Sequence, residues 1–346
     1  MPGKNTISFL EAMPKVELHL HLEGAIPLEA MWNLAEKYSG TSEVISLKEL
    51  KAKFNYVDFP HFIKIWIWKN KFIREYEDFT FIAGEVAKDL IRQNIKYAEI
   101  FYSPADHKSK NLNSQKISEA VFNGIKLFEK EIEINLIADL VRDFGPENGM
   151  VTLSELNEVK HMKVVGIGIG GSEQHFPPEA FKKVYSRARD LNFRTSAHAG
   201  EAAGSESIWG VINELNTERI GHGTRAYEDE NLIEYLAEKK IPIEMCPISN
   251  VKTGVVKSIE EHPVKDYYKR GLKVFLNTDD PMMFNNSLAE EYALFIEKLG
   301  FDLSDVKKLM LNATDSAWCS ESKKEKLRNL LKEYYLKEYK TNNSNQ

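Results

Sequence analysis

Two histidines in one short run are the first residues whose spacing indicates chemistry. The run from Lys15 to Gly24 reads Lys-Val-Glu-Leu-His-Leu-His-Leu-Glu-Gly, so His19 and His21 are separated by one residue. Side chains alternate between the two faces of a strand, and both imidazoles therefore point to one face while the leucines point to the other. Such a strand can supply two metal ligands. Because an isolated His-x-His is more often structural, the pattern needs support from elsewhere in the chain.

Three further polar clusters follow short apolar runs later in the sequence. They are His198-Ala199-Gly200-Glu201, Gly221-His222-Gly223 and Asn277-Thr278-Asp279-Asp280-Pro281. Polar clusters at the C-terminal ends of successive strands are where a (β/α)8 barrel carries its active site. Three histidines and one carboxylate are ligands that Zn²⁺ accepts, and a further histidine and two carboxylates remain for proton transfer. The spacing therefore predicts metal-assisted chemistry at one end of a barrel.

The elements that must position these clusters follow from the alternation of apolar runs and helical patterns. We predict eight strands, at residues 15–22, 96–103, 134–141, 163–169, 194–198, 219–222, 241–246 and 273–277. Predicted helices between them include residues 79–93, 114–130, 178–191, 228–239 and 287–299. This order predicts an α/β fold, a (β/α)8 TIM barrel. Barrels of this type commonly exceed about 250 residues, so residues 1–346 are expected to form a single domain with a frayed tail at about 340–346.

A long segment separates the first two predicted strands, at about residues 26–94, and it exceeds one crossover helix. It leaves from the catalytic end of the barrel, so we expect extra helices inserted after strand 1. Within it, Phe59, Phe62, Ile63 and Trp66 recur on one side of a helical pattern. A helix packed on the barrel exterior would show the same spacing. We favour a lid whose aromatic face covers an apolar ligand.

Composition narrows the classes of protein that fit. The chain has 346 residues, of which 42% are hydrophobic, and a formal net charge of −6, which argues against a nucleic-acid surface. No apolar run approaches the roughly 20 residues that span a bilayer, and the N-terminal residues lack the apolar core of a signal peptide. Two cysteines cannot form a disulfide framework. We therefore expect a cytoplasmic protein with neither a membrane nor a nucleic-acid partner; a monomer is compatible with the sequence, which leaves the oligomeric state open.

Five ordered motifs resemble the adenosine deaminase family of the amidohydrolase superfamily. They are the runs at Met13–Gly24, His198–Glu201, Arg219–Gly223, Cys246–Asn250 and Leu276–Pro281. Five motifs in this order are specific, and the resemblance covers roughly residues 13–312. It implies zinc-dependent hydrolytic deamination of adenosine and 2′-deoxyadenosine to inosine and ammonia, in purine salvage. One Zn²⁺ per chain and a small purine nucleoside are the implied cofactor and partner.

The resemblance implies roles for residues at matching positions. The residues that match the zinc ligands are His19, His21, His198 and Asp279. Three further residues match catalytic positions of the family. Glu201 matches the acid that protonates N1 of the purine, and Asp280 matches the residue that contacts N7. His222 matches the residue that orients the attacking water and assists its deprotonation. Glu201 would need a raised carboxyl pKa for this task, which a pocket poor in water provides.

A substrate pocket is implied in the same way. The residues expected to line it are His21, Glu23, Gly171, Asp280 and the lid residues Phe59, Phe62 and Trp66. Glu23 matches an acidic residue near the ribose hydroxyls, and the backbone N–H of Gly171 matches the donor to N3.

Two positions depart from the family pattern near the fourth strand. Gly168 and Ser172 stand where many relatives carry acidic residues. We expect weaker recognition of the ribose there, more room for a 5′ substituent, and a lower KM for adenosine in Ser172→Asp. A lysine that could be carboxylated to bridge two metals is absent from the end of this strand, because Lys163 lies at its start. A single metal ion is therefore expected.

Other activities remain open at the level of sequence. They are deamination of adenine, AMP or 5′-methylthioadenosine, or a non-catalytic zinc-binding role. The pair Thr253-Gly254 is typical of nucleoside enzymes and argues against adenine, and no basic cluster for a phosphate lies near the motifs. The four residues that match zinc ligands, together with Glu201 and His222, are all retained, which argues against a non-catalytic relative.

Overall fold

The strands pair in the order in which they occur in the chain. The computed structural model describes residues 4–39 and 43–344, and within these ranges eight strands form one sheet. The strands are β1 (Lys15–His21), β2 (Ile95–Tyr102), β3 (Glu133–Asp139), β4 (Val164–Gly168), β5 (Arg194–Ala199), β6 (Arg219–His222), β7 (Ile243–Met245) and β8 (Val274–Leu276). Every neighbouring pair is parallel. This confirms the predicted barrel order.

The barrel closes beyond the end of β8. A parallel bridge joins Leu20 of β1 to Asp279. The backbone N–H of His21 donates to the carbonyl of Asp279 at 2.9 Å, and the N–H of Asp279 donates to the carbonyl of His19 at 3.0 Å. The closure therefore brings the first histidine pair and the last acidic motif into direct contact.

Helices surround the strands and fill the insertion. They are α1 (Lys4–Ala12), α2 (Leu28–Ser39), α3 (Leu47–Lys53), α4 (Phe59–Asn70), α5 (Tyr76–Arg92), α6 (Ser114–Lys126), α7 (Gly145–Glu158), α8 (Lys182–Asp190), α9 (Ser205–Gly210), α10 (Glu230–Lys239), α11 (Pro247–Lys252), α12 (Val264–Lys269), α13 (Pro281–Phe284), α14 (Leu288–Leu299), α15 (Leu303–Ser316) and α16 (Glu321–Ser344). Among the described residues, none of these helices has the length and apolarity that a bilayer crossing requires.

Helices α2 to α5 lie between β1 and β2, which confirms the predicted insertion. The predicted tail at about 340–346 overlaps α16 up to Ser344, and residues 345–346 lie outside the described part of the chain. The helix predicted at 178–191 begins with a 3₁₀ turn at Pro178–Phe181 and continues as α8, because two successive prolines tighten its first turn.

The aromatic helix α4 begins where the sequence offers a cap. The side chain of Asp58 accepts a hydrogen bond from the backbone N–H of His61, and Pro60 fits the first turn, where a missing N–H costs little. Phe62 is buried on the barrel side of this helix, with its ring stacked on that of Phe284 at 5.3 Å. The helix is thereby fixed against the segment that follows the Asp279-Asp280 motif.

Charged residues occupy the interior of the barrel alongside the histidines. Strand β1 is buried along its whole length. Glu99 and Glu244 have no exposed surface, and Arg219 is 1% exposed. Buried charges are costly unless they are paired, so these groups identify an internal polar network.

Candidate active site

Four side chains converge at the C-terminal ends of the strands with the separations of ligands around one metal ion. Nε2 of His198 lies 3.1 Å from Nε2 of His19 and 3.2 Å from Nε2 of His21. Oδ1 of Asp279 lies 3.5 Å and 3.4 Å from the same two histidine atoms. Tetrahedral ligands about 2.0–2.1 Å from a zinc ion are about 3.3 Å apart. The observed separations fit that geometry.

The donor chemistry also fits a metal. Three imidazole nitrogens at this spacing would repel through their lone pairs unless a cation or protons lie between them. Burial favours the neutral acid of Asp279, but the hydrogen bond from His19 and the positive charge of that ring hold its pKa below the ordinary value. Burial lowers the pKa of His198 well below its usual range, and neighbouring histidines lower it further. Burial also opposes the charged form of His19, but hydrogen bonds to Asp279 and Glu244 outweigh it and raise the pKa of His19 to about 10. A metal ion bound here would take the place of that proton, since histidine binds a metal in its neutral form.

His222 shares this site, and a group of metal-compatible ligand atoms defined by mutual distance includes His222 in place of His21. Its ring belongs with those of His19 and His198 and the carboxylate of Asp279 to a group whose ligand atoms all lie within 4.8 Å of one another. His222 and Asp279 have left-handed φ values of 62° and 64°. Residues other than glycine adopt this conformation at a cost of order 1 kcal/mol, and such strain concentrates at functional sites.

A hydrogen-bond network defines the orientation of the His222 ring. The side-chain amide of Asn250 lies 3.1 Å from Nδ1, and the carbonyl oxygen of that amide already accepts from the hydroxyl of Thr224 and lies 3.2 Å from Nε2 of His262. The NH2 group of Asn250 therefore donates to Nδ1 of His222, which assigns the proton of the neutral ring to Nε2. Burial lowers the pKa of His222 to about 3, so the neutral ring is favoured.

A buried chain of charges supports His19 from below. Oε2 of Glu244 lies 2.7 Å from Nδ1 of His19, and Oε1 of Glu244 lies 2.5 Å from Nε of Arg219. Nη2 of Arg219 lies 2.6 Å from Glu99, and its guanidinium lies 3.6 Å from the ring centre of Trp318. Burial opposes ionisation of Glu244, but Arg219 and His19 hold its pKa below the ordinary value. A carboxylate on Nδ1 fixes the tautomer that directs Nε2 toward a metal.

Glu201 is presented by a turn that another carboxylate holds. The side chain of Glu173 accepts hydrogen bonds from the backbone N–H groups of Gly200, Glu201, Ala202 and Ala203, at 2.6 to 3.1 Å. Oε2 of Glu201 lies 3.6 Å from Nε2 of His222. Burial, with added repulsion from Asp279, raises the pKa of Glu201 well above its ordinary value. Burial thus shifts Glu201 toward the protonated acid that donation to N1 of a purine requires.

Asp280 approaches β1 closely because residue 24 has no side chain. A Cβ at Gly24 would lie 1.6 Å from Oδ1 of Asp280, so only glycine fits there. That carboxyl oxygen is buried and has no hydrogen-bond partner among the residues that the structure describes. Burial and the neighbouring charge of Asp279 raise the pKa of Asp280 well above its ordinary value. A neutral carboxyl at this position can donate a hydrogen bond.

A cavity of about 520 Å³ opens above these residues. His21, His198, His222, Glu201, Asp279 and Asp280 line its floor, and Gly171 and Ser172 border it on one side. The predicted lid residues Phe59, Phe62 and Trp66 line the opposite wall, and the ring centres of Trp66 and His21 are 6.1 Å apart. The volume lies in the range of sites for small organic ligands.

Glu23 was predicted to contact the substrate, but its side chain does not line the cavity. It is fully buried and lies outside the cavity lining, and its Oε1 accepts from the backbone N–H of Ser103 at 3.0 Å. Burial raises its pKa to about 7. Glu23 therefore holds the end of β2 against β1 in this conformation, and contact with a ribose stays a prediction that the geometry does not support.

A residue from the neighbouring loop adds an acidic group beside the loop after β4. Asp143 accepts hydrogen bonds from the backbone N–H of Ser172 at 2.8 Å and from its hydroxyl at 2.5 Å. Packing explains the glycine at position 168, since a Cβ there would lie 2.6 Å from the ring of Phe101. Asp139 and Asp143 both border the cavity, so acidic acceptors are present near its outer part.

Comparison with known proteins identifies the family. The family model described as adenosine deaminase matches residues 14–334. This chain belongs to the adenosine deaminase family. An adenosine deaminase from Aliivibrio fischeri strain ES114 is 34% identical over 328 residues, which cover 93% of this chain and 98% of that protein.

Solved structures extend the likeness to three dimensions. The crystal structure of an adenine deaminase from Arthrobacter aurescens has a TM-score of 0.89 at 28% identity, and the match covers 94% of this chain and 99% of the other. A Zn-bound amidohydrolase from Burkholderia ambifaria has a TM-score of 0.87 at 27% identity and covers 95% and 93%. Membership of the adenosine deaminase family makes this chain a hydrolytic deaminase with a buried three-histidine, one-aspartate site suited to a metal ion.

Names within the adenosine deaminase family do not settle the substrate. Relatives named aminodeoxyfutalosine, adenine and adenosine deaminase are 32%, 33% and 34% identical to this chain. Such similar identities cannot rank the substrates. The choice among them must come from the residues around the cavity.

Proposed function

We propose that this chain hydrolyses the 6-amino group of adenosine and 2′-deoxyadenosine to give inosine and ammonia, as a cytoplasmic step of purine salvage, with one bound zinc ion. The observation that supports it most is the floor of the cavity. There the cluster formed by His19, His21, His198 and Asp279 adjoins two proton-transfer groups, Glu201 and His222. Oε2 of Glu201 lies 3.6 Å from Nε2 of His222.

The four clustered residues would hold the metal, and their carboxylate and neutral imidazoles match the preferences of zinc. A zinc ion in this position would supply Lewis-acid activation of water at neutral pH. His222 would orient the attacking water through its Nε2–H, because Asn250 occupies Nδ1. The geometry supports the orienting part of the predicted role of His222.

Glu201 would act as the general acid. A carboxyl that stays protonated at neutral pH can donate to N1 of the purine and increase the electrophilicity of C6. The carboxyl of Asp280, kept neutral by burial beside Asp279, would donate to N7, and the backbone N–H of Gly171 would donate to N3. Together these donors would fix the plane of the base with its 6-amino group over the cluster.

The cavity favours a nucleoside over a free base or a nucleotide. Its lining includes Lys71, Ser109 and Phe144 as well as the floor residues, and its volume of about 520 Å³ leaves room for a sugar beside a purine base. Asp139 and Asp143 border the cavity and can accept from sugar hydroxyls. The same carboxylates would repel a 5′-phosphate, which argues against AMP.

Turnover of a substrate panel tests the proposal. The zinc-loaded enzyme is given adenosine, 2′-deoxyadenosine, adenine and AMP, and the change in purine absorbance is followed with ammonia release. We expect the highest kcat/KM for the two nucleosides, and loss of turnover after chelation. A higher value for adenine or AMP would reassign the substrate, and zinc binding without turnover of any 6-aminopurine would support a non-catalytic role.

A further inference from the structure

Exposed apolar side chains border the mouth of the cavity from two separate elements. Ile67 on α4 is 59% exposed, and Phe144, in the loop after β3, is 48% exposed. Both belong to the cavity lining, and Ile63 and Val141 continue the apolar surface inward from each side. Exposing such groups to water is unfavourable, so an apolar surface continuous with a ligand cavity marks a contact region for the ligand. We call Ile63, Ile67, Val141 and Phe144 the apolar mouth.

The charges near the apolar mouth determine what kind of group it can accept. Asp106, Asp139 and Asp143 border the cavity, with Lys71 and Lys110 as the nearby cations. The ammonium of Lys110 is already bound by the backbone carbonyls of Asn70 and Ile73, at 2.5 and 2.8 Å. The aspartates are hydrogen-bonded as well, for example Asp106 to Trp66 and Asp143 to Ser172. Three carboxylates against two ammonium groups still make this part of the lining less suited to an anion than to a neutral apolar group.

The position of the catalytic groups sets the direction of the substrate. In a purine, C6 and N9 lie on opposite sides of the ring system. If C6 lies over His198 and Glu201 at the floor, then N9 and its sugar point outward, between the lid helix α4 and the loop that carries Asp143. The 5′ carbon of the sugar then lies toward the apolar mouth.

We propose that the apolar mouth binds a neutral apolar substituent on the 5′ carbon of a purine nucleoside, such as a thioether or an aryl thioether. This inference rests on the proposed function for the orientation of the base. Ile67 and Phe144 are then specificity residues: they contact the 5′ group and take no part in the reaction at C6.

Kinetic comparison of two substrates tests the inference. We expect the zinc-loaded enzyme to use 5′-deoxy-5′-phenylthioadenosine with a kcat/KM about 10-fold above that of adenosine, since one apolar contact in a pocket changes the value by about 10–200-fold. In the double variant Ile67→Ser, Phe144→Ser, the ratio of the two kcat/KM values should fall to near one. The control Leu127→Ser removes a residue that is 75% exposed, directly follows α6 and lies outside the cavity lining, and it should keep the ratio. An equal ratio in wild type and double variant would overturn the inference.

Binding of unreactive analogues separates this inference from the proposed function. Purine riboside and its 5′-phenylthio derivative carry no 6-amino group, so their Kd values do not depend on deamination. Tighter binding of the phenylthio derivative, lost in the double variant, supports the apolar mouth even if adenosine is not deaminated. Adenosine turnover without any gain from the phenylthio group would leave the proposed function standing and overturn this inference.

Exposed apolar residues could instead bind a second copy of the chain. Sedimentation of wild type and double variant at several concentrations distinguishes the two. A change from dimer to monomer in the double variant, with an unchanged substrate ratio, would assign Ile67 and Phe144 to a self-interface and contradict the inference.

Discussion

The floor and the mouth of the cavity are built in different ways. Floor residues lie at strand ends, are at most 8% exposed, and are tied to one another by short hydrogen bonds and ion pairs, as between His19 and Glu244. Mouth residues such as Ile67 and Phe144 lie on the inserted helix α4 and on a loop, and they are half exposed. The strand ends thus hold the groups proposed for the chemistry, while the inserted helix and the loops line the part of the cavity that the rest of a substrate would meet.

The strongest test of the floor is the proton donor. Glu201→Gln preserves the shape of the side chain but removes its acidic proton, and we expect kcat for adenosine to fall by more than the 10²–10⁴-fold typical of general acid catalysis. Zinc content and nucleoside binding should persist, because Glu201 lies outside the four clustered ligands. Near-normal kcat would remove Glu201 from its assigned role.

The pH dependence of the same reaction gives a second test of Glu201 as the general acid. Burial raises its pKa, so the required protonated form persists above the ordinary pKa of a glutamate and is lost as the pH rises through that raised pKa. The rate should therefore fall on the alkaline side. Glu201→Gln cannot titrate there, and its residual rate should lack this limb. An identical alkaline limb in both proteins would assign it to another group.

Effects on metal affinity should follow from the charge chain beneath His19. Glu244→Gln weakens the acceptor on Nδ1 of His19 and leaves Arg219 with one carboxylate, that of Glu99. Removing such a support usually costs about 10–100-fold in metal affinity. Competition with a zinc chelator measures this directly. Glu218→Gln is the matched control, since Glu218 pairs with Arg194 at the surface, and a loss of affinity equal to that of Glu244→Gln would contradict the account.

Much of the floor could be predicted from sequence because its residues stand in short ordered motifs. All eight strands were predicted, and the four clusters lie at their ends as expected. The charge chain was missed, although Glu99, Arg219 and Glu244 stand inside apolar strand runs where a charged residue must find a buried partner. Which charges pair depends on barrel geometry, since these three residues come from β2, β6 and β7.

The loops around the substrate end of the cavity were harder to predict from sequence, for a different physical reason. Asp143 replaces the acidic groups that Ser172 and Gly168 lack, but it comes from the loop after β3, far from them in sequence. Gly168 is required by the ring of Phe101, a contact across neighbouring strands that no local pattern reveals. Contacts between loops depend on tertiary packing, so the substrate end of the site was the less predictable part.

A lid variant should change binding and leave the metal in place. Trp66→Ala removes a ring that lines the cavity near His21 and whose Nε1–H donates to Asp106 at 3.2 Å. We expect KM for adenosine to rise by about 10-fold, the upper end of the effect of an aromatic contact, with kcat changed less. A fall in zinc content in this variant would show that the floor depends on the lid.

The smallest effect is expected at the loop after β4, and its direction is opposite to that inferred from sequence alone. Ser172→Asp would place a second carboxylate beside Asp143 and remove the hydroxyl that donates to it. We expect KM for adenosine to rise by about 3-fold, from the loss of one hydrogen bond of roughly 0.5–1.5 kcal/mol. Ser172→Ala removes the hydrogen bond without adding charge and separates the two causes. A lower KM in Ser172→Asp would mean that Asp143 does not serve the sugar.

We propose that a single zinc ion on the floor enables deamination of adenosine, and a zinc titration tests this most directly. Metal-free enzyme is loaded stepwise, and bound zinc per chain is measured by elemental analysis alongside the rate of inosine formation. We expect a rate that rises in proportion to zinc and stops rising at one ion per chain, with His19→Ala failing to reach that loading. A rate that survives chelation, or one that requires a second ion, would contradict it.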